Sequence, residues 1–259
     1  MRSLLSRFFP APASAALPRL SWSRAPSVVY AIGDVHGCLD QLLALEALIA
    51  ADAAGVEGDR YVIQLGDYTD RGPKSAQVID HLMAPAPPGF ERVCLRGNHD
   101  DMLLRAVTEG ANISDWLAFG GEETMQSYGI LPMQADWLRK GRRQTQMQVL
   151  EAYVPTEHLA FLKALPVALD MPGYIFVHAG VRPGLALAQQ RDGDLMWIRD
   201  EFLESDRDHG AVVVHGHTPV RQPLLQPNQI AVDTACYQTG QLTAVRIAPG
   251  EVPRFISTK

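Results

Sequence analysis

Ser27-Val28-Val29-Tyr30-Ala31-Ile32-Gly33-Asp34-Val35-His36-Gly37 sets the reading of the whole chain. Its opening residues are mostly β-branched or aromatic, the composition of a strand, and glycine ends the run. Asp34 and His36 follow, two apart, so period-two geometry at a strand end keeps both side chains on one side. A Leu/Ala-rich helical stretch runs from about Leu39 to Ala54. The same order recurs twice. Arg60–Leu65 leads into Gly66-Asp67-Tyr68-Thr69-Asp70-Arg71-Gly72 and a helical face of Ser75, Val78, Ile79, Leu82 and Met83. Arg92–Leu95 leads into Gly97-Asn98-His99-Asp100 and the helically spaced Met102, Leu103, Ala106 and Val107. Asp34, Asp67 and Asn98 stand 33 and 31 residues apart, about the length of one βαβ unit. Parallel strands joined by right-handed crossovers put their carboxyl ends on one sheet edge, where distant ligands converge.

Residues 112–165 read as mostly helical, with Trp116, a Gly120-Gly121 break and a second helical stretch from Gln134 to Glu151. Strands then return at Val167–Leu169, Tyr174–Val177, Ala211–Val214, Gln229–Val232 and Leu242–Ile247. The Pro172-Gly173 turn signals a hairpin, so these five are expected to form a second, partly antiparallel sheet. The architecture expected is α/β: two packed mixed sheets flanked by helices, in a single domain over residues 28–259. Residues 1–27, rich in Arg, Pro and Ala, are expected to be a disordered tail, with weak contact to anionic lipid as its other use.

Composition narrows the partners. The chain has 259 residues and a formal net charge of −6. Arg2, Arg7, Arg19 and Arg24 precede the first acid, Asp34, which leaves 19 basic against 29 acidic residues beyond them. So acidic a body does not suit a nucleic-acid backbone. No stretch of 18 uninterrupted apolar residues occurs, so no membrane span is expected. Cys38, Cys94 and Cys236 are odd in number and far apart, which points to buried, reduced thiols and a cytoplasmic location.

Two further motifs join the first three: His178-Ala179-Gly180 and His215-Gly216-His217-Thr218-Pro219. The five together concentrate oxygen donors and imidazoles at glycine-flanked turns, which suits two neighbouring divalent metals. Asp34 and His36 can share one metal. Asp67 can bridge both with a bidentate carboxylate, Asn98 offers a neutral carbonyl oxygen, and His178 adds an imidazole. His215 and His217 are both open as a further ligand from spacing alone. Two metals held about 3.5–4 Å apart activate a water and clamp an in-line displacement at phosphorus. His81, His158 and His209, with Arg96 and Arg182, are read as structural.

These motifs resemble the metallophosphoesterase superfamily, and within it the phosphoprotein phosphatase branch of bacterial and phage-type serine/threonine phosphatases. The elements GDxHG, GDxxDRG, GNH, HAG and GHTP stand in family order across residues 33–219. The resemblance implies the metallophosphoesterase αββα sandwich. It assigns the metal set Asp34, His36, Asp67, Asn98, His178 and His217, leaves His215 beside it, and implies Mn²⁺, with Fe or Zn as compatible alternatives. His99 then protonates the leaving oxygen, Asp70 orients His99, and Arg71 and Arg199 grip the phosphoryl oxygens. The activity implied is hydrolysis of phosphoserine, phosphothreonine or phosphotyrosine in proteins by direct attack of a metal-activated water. Symmetrical hydrolysis of dinucleoside tetraphosphates is the enzymatic alternative. A metal-binding scaffold without turnover is the alternative of another class, and it has no need of His99, Asp70 and Arg71. The chain departs from the family at Asp100, where glutamate is common, and at Ala235, where glycine is expected. The segment around Gly120-Gly121-Glu122-Glu123-Thr124 is expected to wall the substrate cleft.

Overall fold

A computed structural model describes residues 16–130 and 141–258. Strand β2 (Val28–Ile32) is buried on both faces and divides its side chains by period two. Val28, Tyr30 and Ile32 meet helix α1 (Leu39–Asp52) through Leu42, Leu45 and Ile49, while Val29 and Ala31 face the other sheet. β2 pairs in parallel with β3 (Arg60–Gln64), and β3 with β4 (Glu91–Cys94). Helices α2 (Ser75–Met83) and α3 (Asn98–Glu109) cover the same outer face as α1, with Ile79, Leu103 and Ala106 in that cluster.

The second sheet holds six strands. Its order is β1 (Arg19–Ser21), β5 (Ala168–Met171), β6 (Tyr174–Val177), β7 (Val212–His215), β9 (Gln229–Ala231) and β8 (Leu224–Leu225). Leu169, Met171, Phe176, Val214 and Ile230 pack against Val29, Ala31, Ile63 and Leu65, which makes the inter-sheet core. Ala168, Ile175, Val177 and Val213 turn outward onto Leu195, Met196 and Phe202. The layers are therefore helix, sheet, sheet, helix, as expected from the sequence.

Two expectations are corrected. β10 (Thr243–Ile247) does not join the second sheet; it pairs antiparallel with β2 and with β11 (Arg254–Ser257), giving the first sheet the order β11-β10-β2-β3-β4. Its five residues are all buried, which requires a neighbour on each side. β11 itself went unread. The expected tail also enters the fold before residue 27. Arg19–Ser21 pairs in parallel with Ala168–Asp170, fixed by an Arg19–Asp192 ion pair of 2.6 Å and by Leu17 N donating to Asp192 Oδ2 at 2.8 Å. Residues 1–15, and the start of the expected Gln134–Glu151 helix, lie outside the described residues; α6 (Arg143–Tyr153) is its described part. Among the described residues no helix is long and apolar enough to cross a membrane.

Candidate active site

The turns after β2, β3 and β4 carry Asp34 and His36, then Asp67, then Asn98. His178 follows β6 and His217 follows β7, parallel neighbours in the opposite sheet. Both sheets thus deliver side chains to one edge. Asp34 and His217, 183 positions apart, are hydrogen-bonded there. None of the six is more than 5% exposed.

Asp67 sits at the centre. Its Oδ1 lies 3.3 Å from His178 Nε2, and its Oδ2 lies 3.5 Å from His36 Nε2 and 3.9 Å from His99 Nε2. Two groups of three donors therefore share one carboxylate: His36, Asp67 and His99, and Asp67, His178 and His217. Backbone hydrogen bonds hold it. His99 N donates to Asp67 Oδ1 and Asp67 N donates to Asp100 Oδ2, both at 2.9 Å. Asp100 also accepts from Tyr68 and Gly97, so the residue that departs from the family's glutamate ties the second and third motifs together. A Cβ at Gly97 would collide with Asp67 Oδ1, so only glycine lets the chains cross here.

The imidazoles are oriented from behind. His36 Nδ1 meets Thr69 O at 2.7 Å and His178 Nδ1 meets Leu65 O at 3.1 Å, which turns each Nε2 into the pocket. His36 Nε2 and His217 Nε2 are buried without a hydrogen-bond partner. An orphaned buried polar atom costs about 1–3 kcal/mol, so such atoms call for a ligand. With the Asp67 carboxylate, and with Asn98 Oδ1 lying 2.8 Å from His178 Nε2, they form an O/N donor set that fits divalent cations.

Electrostatics favour the ligating form at His36, His217 and Asp67. Burial drives the His36 imidazole down to about 3, with His99 adding to the effect, and drives His217 well below its usual range. Both are therefore neutral, the form that ligates. Burial opposes charge on Asp67, but His178, His99 and His36 hold its carboxyl well below the usual carboxylate range. His178 is likewise buried, yet Asp67 and Asp34 carry it up to about 9. Asp34 stands apart from both groups of three. Its oxygens accept from His217 N at 3.1 Å, and burial together with Asp233 keeps its carboxyl well above the ordinary value.

A second ring of residues touches the first. Asp70 Oδ2 accepts from His99 Nδ1 at 2.7 Å, and Arg71 Nη2 lies 3.1 Å from His99 Nε2. Arg199 enters the same pocket, where burial and the Arg71 guanidinium lower its pKa. His215 does not reach the pocket. It packs edge-on against Phe202, with ring nitrogens 3.1 Å from Gln229 Oε1 and from Gly216 O. His81 and His158 pair with Glu46 and Asp80, and His209 packs on Phe202, all away from the pocket. Arg96 and Arg182 are engaged by Asp101, and by Asp194 and Glu201. All three cysteines are free; Cys38 and Cys236 are buried and Cys94 is half-buried.

Sequence reasoning missed two things. Five of the seven described non-glycine residues with positive φ are His36, Asp67, Asp70, Arg71 and His217, at 42° to 71°. This left-handed backbone costs about 1–2 kcal/mol per residue and concentrates where the polar groups converge. Three partly exposed aromatic rings also rim the pocket. Phe119 stands 6.5 Å from the His99 ring, Tyr237 5.3 Å from His36, and Trp197 6.2 Å from His217, each edge-on. Tyr237 also lies under the Arg71 guanidinium, 4.7 Å away. The three rings' nearness in the chain to residues already singled out was the available signal: Phe119 precedes Gly120, Trp197 lies two before Arg199 and Tyr237 two after Ala235.

The fold and this donor set define a metallophosphoesterase. Residues 27–248 match the profile of the calcineurin-like phosphoesterases, and the chain belongs to that family, whose members use a dinuclear divalent metal site. Among its relatives are proteins named bis(5′-nucleosyl)-tetraphosphatase PrpE [asymmetrical]. The one from Anoxybacillus flavithermus is 29% identical, over 88% of this chain and 93% of its own length. The one from Bacillus subtilis is 29% identical, over 83% and 88%. In structure the chain is similar to a protein provisionally assigned as a diadenosine tetraphosphatase, at 20% identity, with a TM-score of 0.64 over 94% of this chain and 99% of that one. It is also similar to a Saccharomyces cerevisiae protein serine/threonine phosphatase, at 15% identity, with a TM-score of 0.56 over 94% and 83%. Those two likenesses speak to the fold.

Proposed function

We propose that this chain hydrolyses bis(5′-nucleosyl) tetraphosphates at a phosphoanhydride bond, by direct displacement on two divalent cations. The observation that carries this reading is the aromatic rim. Phe119, Trp197 and Tyr237 stand beside the polar pocket, and a nucleobase stacked on an aromatic ring gains about 1–3 kcal/mol. The names of relatives matched along most of their length support it.

In this reading Asp34, His36, Asp67, Asn98, His178 and His217 would hold the two cations. Mn²⁺ is the first candidate, and the same donors accept Fe or Zn. Bound there, such cations supply Lewis acidity toward a phosphoryl oxygen and an activated water. The chain's own residues do the rest. Arg71 and Arg199 bring two guanidiniums to the phosphoryl oxygens, where planar forks match oxyanion geometry. His99, held by Asp70 through Nδ1–H, acts as the imidazolium: its Nε2 proton passes to the leaving oxygen and the ring is left neutral with Nδ1–H still on Asp70.

That acid favours a second reading. Polyphosphate leaves readily without protonation, whereas a serine or threonine alkoxide does not. The buried Asp70–His99 pair is therefore a specific reason to keep phosphoprotein hydrolysis in view. The test is a comparison of kcat/KM for a bis(5′-nucleosyl) tetraphosphate and a phosphothreonine peptide, with chromatography of the products. A nucleoside triphosphate plus a monophosphate reports asymmetrical cleavage, and two diphosphates report symmetrical cleavage. Phe119→Ala is expected to lower kcat/KM about 5–150-fold on the dinucleotide and to leave 4-nitrophenyl phosphate unchanged. Preference for the peptide, with no effect of Phe119→Ala, would reject the nucleotide reading.

A further inference from the structure

The helical segment after α3 packs against the turn that carries Asp70. Helix α4 (Ile113–Trp116) leads through a wide turn at Leu117–Gly121 into α5 (Glu122–Ser127). Three of its groups grip the turn that carries Asp70. Trp116 Nε1 donates to both oxygens of Asp70, at 3.0 and 3.1 Å. Thr124 Oγ1 donates to Asp70 Oδ1 and accepts from Asp70 N, each at 2.7 Å. Gly120 O accepts from Arg71 N at 3.0 Å. Trp116, Thr124 and Asp70 are all fully buried.

The paired glycines have a physical reason here. A Cβ on Gly120 would come within 2.7 Å of Arg71 N, and one on Gly121 within 2.5 Å of the Trp116 indole. Any side chain would push the segment off the turn. Asp70 (φ 71°) and Arg71 (φ 67°) are consecutive left-handed residues without glycine, a conformation that persists only when its surroundings over-determine it. The grip supplies that determination. It also leaves Asp70 Oδ2 with one strong further partner, His99 Nδ1 at 2.7 Å.

We propose that Trp116 and Thr124 are positioning residues for leaving-group protonation. They fix the Asp70 carboxylate and, through its bond to Nδ1–H, the ring plane of His99, whose imidazolium form carries the Nε2 proton that passes to the leaving oxygen. The inference rests on His99 being the acid, so the experiment measures that separately. It uses phosphomonoesters without a nucleobase, so it stands independently of the dinucleotide reading.

The probes are phenyl phosphate, a poor leaving group, and 4-nitrophenyl phosphate, a good one, on the full-length Mn²⁺-loaded protein. Thr124→Val is expected to lower kcat about 10–100-fold on phenyl phosphate, as loss of an orienting partner does. KM and the 4-nitrophenyl rate are expected to stay within about twofold. Thr124→Ser, which keeps the hydroxyl, restores the phenyl rate. Trp116→Phe, which removes the N–H and keeps an aromatic ring, repeats the pattern if Thr124→Val does not fold. In a His99→Asn background, Thr124→Val adds no further loss. In the protein loaded with diamagnetic Zn²⁺, the low-field proton resonance of His99 Nδ1, recognised by its absence in His99→Asn, shifts in Thr124→Val and returns in Thr124→Ser. Equal losses on both esters, or a Thr124→Val loss that persists without His99, would overturn the positioning role. If His99→Asn itself lowers both esters equally, the acid assignment falls and the proposal with it.

Discussion

Two buried polar regions meet at the Asp67–Arg71 turn, and they differ in one respect. In the donor cradle, His36 Nε2 and His217 Nε2 have no partner. In the grip formed by residues 113–127, Trp116 Nε1 and Thr124 Oγ1 are fully engaged with Asp70. Both regions are buried, so burial does not separate them. Satisfaction does. A buried imidazole nitrogen left open beside a shared carboxylate suits a cation, whereas a saturated group holds its neighbour in place. The cradle is built to receive a ligand and the grip is built to keep a side chain still.

The strongest way to break that contrast is Asp67→Asn. It removes the one carboxylate common to both donor groups. Turnover is expected to fall on the order of 10⁴-fold, since the cations' charge stabilisation and water activation are lost together, and bound metal measured by mass spectrometry should fall with it. An unchanged metal content would mean that the cradle is not where cations sit.

A smaller effect concerns acid stability. Burial holds His215 down to about 4 against an ordinary 6.5. The folded form therefore stays neutral while the unfolded chain takes up a proton. Stability from this group is complete above pH 6.5 and is lost as pH falls toward 4, by up to about 3 kcal/mol. Urea midpoints across that range should flatten in His215→Gln by about this amount; an identical slope in both proteins would assign the loss to other groups. The smallest effect sharpens the contrast from outside. Ala235 sits at φ 52° in the turn before a short helix at Cys236–Thr239. Ala235→Gly relieves left-handed strain at some entropic cost, and a net stabilisation of about 0.5–1 kcal/mol is expected in thermal unfolding.

Legibility in the sequence followed the range of the interactions. The three strand–motif–helix units could be read because each is local: a period-two run, a glycine-flanked turn, then helical spacing. Their convergence follows from parallel topology alone, and the structure does bring Asp34, Asp67 and Asn98 to one edge with His178 and His217. Strand neighbours are another matter. The alternation of Thr243–Ile247 says strand but not which strand pairs with it, and that pairing is with β2, more than two hundred residues earlier. Arg19–Ser21 was opaque for the same reason, since its order comes from Asp192 and β5. Left-handed backbone at His36, Asp67, Asp70, Arg71 and His217 had no signal, because none of these residues is glycine. The spacing of Trp116, Gly120, Gly121 and Thr124 was visible but mute until Asp70 was seen between them.

The central claim is that the two orphaned imidazole nitrogens belong to two different cations. It is tested most directly by counting bound Mn²⁺ per chain, by calorimetric titration, in the native protein, His36→Ala and His217→Ala. The account predicts two equivalents for the native protein and the loss of about one in each variant, with the remaining one still bound. Two equivalents retained in either variant, or a native protein that binds fewer than two, would contradict it.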